Sequence, residues 1–134
     1  MKTVYEIIDQ ANEEVDSFVL NNIASIKEAY EATKHNEDSN IWECLQDSID
    51  EACSNYANDC VIYTQDQWEI VYAFKFSFNN HDSYYYDACD NVCDPTNHDE
   101  EIGWIAYFII EALFREALTE KLYKYEQQKL MQIA

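Results

Sequence analysis

Apolar residues in the first quarter of the chain recur at spacings of three and four, which is the period of an amphipathic helix. Ten positions share this stripe: Val4, Ile7, Ile8, Ala11, Val15, Phe18, Val19, Ile23, Ile26 and Tyr30. Thr3 begins a Thr-x-x-Glu capping box just ahead of it. We therefore predict one long helix over 3–34, with Asn21 and Asn22 as the place where it bends or breaks.

Two more stretches carry the same helical spacing. In 41–58 the apolar stripe is Ile41, Leu45, Ile49, Ala52 and Tyr56, and in 99–130 it is Trp104, Ile105, Phe108, Ile109, Ala112, Leu113, Ala117 and Leu118. Ser39 or Asn40 is in place to cap the first of these stretches. Three acidic residues open the last one, where the helix dipole favours negative charge. Both stretches are predicted to be helices.

Residues 64–78 fit two patterns. Thr64 and Gln67 form a capping box, and the apolar residues that follow suit a helix. Every second residue over 70–78 is also apolar, which is typical of a half-buried strand. Because no second strand with a turn signal lies nearby, we predict a helix, with a short strand near 70–78 (an α+β fold) as the alternative. A short helix over 83–92 follows.

The composition favours an all-α fold. Gly103 and Pro95 are the only glycine and the only proline. All-β folds and phosphate-binding loops need several glycines, which this chain lacks. Its 134 residues fit one domain, and a hydrophobic fraction of 48% is enough for a core. We predict a single helical domain over 1–134, a bundle of four to five helices whose long N- and C-terminal helices pack together.

Acidic residues are concentrated in the middle of the chain. The whole chain has 27 acidic and 8 basic residues, a formal net charge of −19. Residues 35–101 hold sixteen of the acids and one base, Lys75, whereas 1–34 carry a net −4 and 102–134 a net 0. Such a surface repels nucleic acid and anionic membranes and attracts a basic partner. Eleven Tyr, six Phe and three Trp distinguish the chain from a disordered acidic tail.

Four acids of the second predicted helix follow i, i+3 and i+4 spacing and so share one face. They are Glu43, Asp47, Asp50 and Glu51, and no lysine or arginine lies nearby in sequence to neutralise them. Duplex DNA also presents closely spaced negative charge, about one per 1.7 Å of axis. We interpret this face as a surface that occupies a basic cleft built for a phosphate backbone. The competing interpretation is a solvated acidic face with no specific partner.

Three consecutive tyrosines at 84–86 lie in an acidic stretch. They cannot all point inward, so at least one is expected at the surface, where tyrosine is a common interface anchor. Tyrosine beside aspartate suits an arginine-rich target. The second set of candidate contact residues is therefore Asp82, Tyr84, Tyr85, Asp87 and Asp90. The alternative is that the tyrosines pack locally under the long helices.

Cys89, Cys93 and His98 are weak candidates for a metal site. Their spacing departs from the common zinc patterns, which use C-x-x-C, and the alternative is two helical cysteines one turn apart beside an exposed histidine. The aspartates of this stretch lack the central glycine and the spacing of an EF-hand. No Cys/His pair or acid/base couple stands out. We expect no cofactor and no enzymatic activity.

Nothing in the sequence indicates export or membrane insertion. No apolar run approaches the ~20 residues of a membrane span. Glu6 and Asp9 fall where a signal peptide would have its apolar core. We expect a cytoplasmic protein whose five cysteines are mostly reduced and buried.

Residues 49–68, IDEACSNYANDCVIYTQDQW, resemble a group of small uncharacterised acidic bacteriophage proteins. The positions that fit are Glu51, Ala57, Val61, Tyr63 and Asp66, while Ile62 stands where the group has a proline. Residues 105–118, IAYFIIEALFREAL, resemble the group's apolar C-terminal helix. The resemblance carries no catalytic residue and no activity, but it implies a phage origin. Small, very acidic phage proteins are similar in character to anti-CRISPR and anti-restriction inhibitors, several of which mimic DNA.

Charge and resemblance lead to one expectation. The chain is expected to be a phage-encoded inhibitor of the DNA-mimic type, acting in the host cytoplasm. It would block the nucleic-acid-binding surface of a host defence protein, such as a CRISPR effector or a restriction enzyme, without binding nucleic acid itself. The alternative is an acidic structural or regulatory protein that acts through homodimerisation.

Overall fold

The computed structural model describes residues 3–35, 39–77, 81–92 and 101–133, with side chains as far as residue 127. Within those ranges the chain forms six helices and no strand. The helices are α1 (Val4–Asn21), α2 (Ile23–Thr33), α3 (Ile41–Cys60), α4 (Thr64–Lys75), α5 (Ser83–Asp90) and α6 (Ile102–Ile133). The all-α prediction is confirmed. The count is six because the predicted first helix divides in two.

Asn22 makes the division between α1 and α2. Its backbone N–H and its side-chain Nδ2 both donate to the carbonyl oxygen of Phe18, at 3.0 and 2.9 Å. An asparagine side chain that bonds the backbone locally offers the chain an alternative to continuing the helix. Two of the predicted helix caps are confirmed. The Thr3 side chain accepts a hydrogen bond from the N–H of Glu6, and the Asn40 side chain accepts one from the N–H of Glu43.

Residues 64–75 form helix α4, so the strand alternative is wrong for this part of the chain; Phe78 lies outside the described residues. The helix buries Ile70, Val71 and Phe74 and leaves Tyr72 exposed. The predicted capping box is also wrong, because Tyr63 holds the cap position and makes no side-chain cap bond.

Helix α6 is the centre of the bundle, and α1, α3, α4 and α5 all pack against it. The predicted contact between the first and last helices is therefore confirmed. Ile105, Ala106 and Ile109 in its first half are fully buried. Gly103 lies where α6 starts beside α4, and a methyl group there would come within 3.3 Å of Gln67 Oε1.

Helix α3 runs antiparallel to α6, and two contacts fix this direction. Ser54 Oγ and Tyr107 OH are 2.8 Å apart. Near the other end, the N–H of Ile41 donates to Glu126 Oε1 at 2.7 Å. Glu126 is only 5% exposed. Because it accepts from the first residue of α3, its carboxylate lies at the positive end of that helix, where negative charge is favoured.

Candidate partner-binding surface

The carboxylates predicted from α3 stand together on its outer side. Successive helical residues are about 100° apart, so these four fall within about 100° of the helix circumference. All four, Glu43, Asp47, Asp50 and Glu51, are exposed. Ile49 and Cys53 are buried on the inner side of the same helix. We call the four residues the acidic row.

One member of the acidic row is neutralised. Arg115 of α6 places Nη1 2.8 Å from Asp50 Oδ1 and also pairs with Glu111 at 2.8 Å. The hydrogen bond from Arg115, and after it the one from Gln46, lowers the pKa of Asp50 below its ordinary value. The sequence places no base near this row, but the fold brings one from 65 residues away. The expectation of four unneutralised acids is therefore wrong for Asp50.

Two adjoining hollows, of about 270 and 450 Å³, continue from the acidic row along the boundary of α1 with α3 and α4. Five carboxylates line them: Glu14, Glu51, Asp59, Asp66 and Glu69. Among the described residues that line either hollow, none is a lysine or an arginine. We call the two hollows the acidic groove. Glu51 belongs to both row and groove, which makes them one surface.

The floor of the acidic groove is apolar and aromatic. Tyr56 lines both hollows, and its ring lies 5.1 Å from that of Phe114. Ile7, Ile70 and Ile110, all buried, also line the smaller hollow. Burial raises the pKa of Tyr56, so its phenol is neutral near neutrality and adds no charge. The groove therefore offers carboxylates at its rim and apolar contact below.

Four of the five groove acids were not among the predicted contact residues. Glu14 belongs to the first helix, outside the acidic middle of the chain (35–101) from which the contact residues were predicted. Asp59 and Asp66 bracket the short link between α3 and α4, so a tight turn there could have indicated that they come close. Their approach to Glu14 depends on α1 packing beside both helices, and no local pattern encodes that.

The three tyrosines of α5 have three different environments. Tyr84 is half-buried and its hydroxyl donates to Glu116 Oε2 at 2.5 Å; burial, and then this bond, raises its pKa to about 12. Tyr85 is 3% exposed, whereas Tyr86 is 57% exposed. The inclusion of Tyr85 among the contact residues is wrong, because the amphipathic turn of α5 directs it into the core. Tyr86 is the tyrosine at the surface.

The α5 acids do not join the acidic row. Ser54 of α3 contacts Tyr107 of α6, and Tyr84 of α5 contacts Glu116 of α6. The α3 contacts at Tyr107 and Arg115 lie about 180° and 100° around α6 from Glu116, so α3 and α5 pack on different sides of α6. Asp87 and Asp90 are exposed and Asp82 is half-buried on that other flank. The two predicted sets therefore form separate surfaces.

Of the three weak metal candidates, only Cys89 lies within the described residues. Cys89 is buried, and burial raises the pKa of its thiol. Cys93 and His98 lie outside the described residues. Elsewhere in the described ranges, no group of three His, Cys, Asp or Glu side chains could hold a metal ion. None of the four described cysteines forms a disulfide, and Cys44 is exposed rather than buried.

Comparison with known proteins adds no relative. No family model matches the chain, and no match was found among curated proteins or solved structures. In the part of the chain that the structure describes, no helix has the length and apolar character needed to cross a membrane.

Proposed function

We propose that this protein binds a basic nucleic-acid-binding protein and blocks the surface that normally holds DNA or RNA. The target class is a host defence protein, such as a CRISPR effector or a restriction enzyme, and the inhibitor is phage-encoded. It does not itself bind nucleic acid, because like charges repel.

One observation carries the proposal: the acidic row and the acidic groove join at Glu51 into a single surface from three helices. It holds eight carboxylates, Glu14, Glu43, Asp47, Asp50, Glu51, Asp59, Asp66 and Glu69, of which Arg115 pairs with Asp50. A single helix, with an acid every turn of about 5.4 Å, is far sparser than the phosphates of duplex DNA. Rows on adjacent helices bring the charge density closer to that of DNA.

The mechanism is occupancy. Lysine and arginine side chains that contact phosphates in the target would pair with these carboxylates instead. Attraction between opposite charges speeds encounter and is screened by salt. No bond is made or broken, and no cofactor takes part.

The test is competition against labelled duplex DNA or guide RNA for a panel of purified restriction enzymes and CRISPR effectors. The active variant carries Asp47→Asn and Glu51→Gln. The matched control carries Asp87→Asn and Asp90→Asn, which changes the charge equally on the other flank. We expect the first pair to weaken competition by about tenfold or more and the control by far less. Equal effects of the two pairs, or no binding to any panel member, would contradict the proposal.

Self-association is a second candidate, and the exposed aromatic residues at the start of α6 favour it. Trp104 is 60% exposed, and its ring stacks on Phe108 at 6.2 Å. If this patch joins two copies, the protein should sediment as a dimer whose stability is insensitive to salt, and Trp104→Ser should yield monomers. A monomer at high concentration would eliminate this candidate.

A further inference from the structure

Three aromatic rings form a row on the outer side of α4. Trp68, Tyr72 and Phe76 are spaced four residues apart, and successive ring centroids are 5.0 and 5.8 Å from each other. Tyr72 is 38% and Phe76 66% exposed, while Trp68 is half-buried. We call these three residues the aromatic ladder. It runs about 12 Å along the helix, which is a little over two turns.

Trp68 packs partly against the core of the bundle, but the core does not account for Tyr72 and Phe76, which are exposed. Ile70, Val71 and Phe74 already fill the inner side of α4. Large exposed apolar rings in a contiguous row are a common mark of an interaction surface. The most exposed ring also contacts a cation, since Lys75 Nζ lies 5.5 Å from the centroid of Phe76. Lys75 thus already occupies one face of the Phe76 ring, in the geometry of a cation–π contact.

The ladder lies alongside the acidic groove. Asp66 and Glu69 belong to the same helix, and both line the smaller hollow. By helical rotation Glu69 falls between the ladder and the buried side of α4. Helix α4 thus presents an aromatic strip and a carboxylate strip side by side.

We propose that the ladder and the α4 edge of the acidic groove together dock a basic amphipathic helix of the partner. Apolar side chains and guanidinium planes of that helix lie on the rings, and its arginines pair with Asp66 and Glu69. Arginine suits both roles, because it stacks on aromatic faces and binds carboxylates in bidentate fashion. This inference rests on the proposed function in that it names the chemistry of the same partner.

Charge decides between this occupant and a second copy of the chain. Each copy carries a net −19, so self-docking through a face bordered by carboxylates meets repulsion. A helix with arginines on one side and leucines on the other complements both strips. Spacings of four residues on such a helix match the spacing of the ladder.

The experiment uses two labelled peptides of about 18 residues with identical leucine and arginine content. One has helical amphipathic order, and the other is scrambled so that it has no apolar face. Fluorescence anisotropy with the full chain measures the affinity of each. We expect the amphipathic peptide to bind about tenfold more tightly than the scrambled one. Tyr72→Ser combined with Phe76→Ser should remove that preference, and Glu69→Gln should weaken it.

Tyr123→Ser is the matched control, because Tyr123 is 51% exposed on α6, away from α4. It should leave both affinities unchanged. Equal binding of the two peptides, or full preference in the Tyr72/Phe76 variant, would overturn the inference. So would a concentration-dependent dimer that Phe76→Ser dissolves, since the ladder would then serve a second copy.

The outcome separates this inference from the proposed function. If the ladder variant loses no preference for the amphipathic peptide while Asp47→Asn with Glu51→Gln still weakens competition with DNA, the docking inference fails and the function stands. If no nucleic-acid-binding protein is bound but the peptide preference depends on the ladder, the function fails and the docking inference stands.

Discussion

Single residues on α6 position the helix that carries the acidic row. Glu126 accepts a hydrogen bond from the N–H of Ile41 at the start of α3, and Arg115 pairs with Asp50 near its middle. Both contacts join residues far apart in sequence, at separations of 85 and 65. The orientation of the row therefore depends on charges in the terminal helix.

Glu126→Ala tests the first of these contacts. The change leaves the buried N–H of Ile41 without its carboxylate acceptor, which should reduce the free energy of unfolding by about 1–3 kcal/mol. Chemical denaturation followed by circular dichroism measures it. The control is Glu120→Ala, an exposed acid on the same helix, which should change stability little. Equal losses in the two variants would show that the Ile41 contact contributes nothing.

Arg115→Met tests the second contact through its pH dependence. Because the pKa of Asp50 is lowered in the folded state, its pairing stabilises the protein above pH 3.8, the ordinary pKa, and is lost as the pH falls further. The variant should have a modestly lower denaturation midpoint near neutral pH, because an exposed ion pair contributes only a little stability. The difference from the parent protein should shrink below pH 3.8. Lys124→Met, an exposed cation on the same helix, serves as control. A gap that stays constant with pH would contradict this account.

At the scale of helices and turns, α4 shows what the sequence could predict and what it could not. Its apolar residues fit both a helix and a strand, and the two structures differ in which side each residue faces. A strand would put Phe74 and Phe76 on the same side, whereas the helix buries Phe74 completely and leaves Phe76 66% exposed. We predicted a helix because no second strand lies nearby to pair with this segment, and that prediction is confirmed for 64–75.

Phe74→Ala and Phe76→Ala make a matched pair for this helix. Loss of the buried ring should cost about 3–5 kcal/mol in the free energy of unfolding. Loss of the exposed ring should change it by less than about 0.5 kcal/mol, as surface substitutions do. Thermal or urea unfolding of the two variants measures both changes in the free energy of unfolding. Similar costs at the two positions would favour the strand-like arrangement.

Local signals predicted the helices and several of their ends. Thr3 and Asn40 cap as expected, and Asn22 breaks the first helix where the asparagine pair suggested. The same signals could not predict that Arg115 reaches Asp50, or that Glu14 and Asp59 line the same groove. Those contacts come from packing between helices. Helical periodicity shows which side of each helix is apolar, but it does not show which other helix packs against that side.

Across the whole molecule, charge repulsion opposes folding. A net −19 on 134 residues is large for a bundle of this size, and the described ion pairs are few and partly exposed. A protein under such self-repulsion is less stable at low salt. Acidic residues grouped on one surface lower the stability of the protein. A binding role for that surface would explain why they are there.

Salt should therefore stabilise the free protein. Raising NaCl from about 10 to about 300 mM shortens the Debye length from roughly 30 Å to under 8 Å, which screens the repulsion. We expect the melting temperature, measured by circular dichroism, to rise by several degrees. Asp47→Asn with Glu51→Gln should give a smaller rise, because part of the repulsion is already removed. A melting temperature that falls with salt would mean that the ion pairs outweigh the repulsion.

Whether the acidic row and groove bind a basic surface is decided by how that binding depends on salt. The measurement is the dissociation constant of the complex with a nucleic-acid-binding target, from about 50 to about 300 mM NaCl. We predict steep weakening with salt, and a clearly shallower slope for Asp47→Asn with Glu51→Gln. A dissociation constant that does not change with salt, and is the same for both proteins, would mean that the row and groove do not form the binding surface.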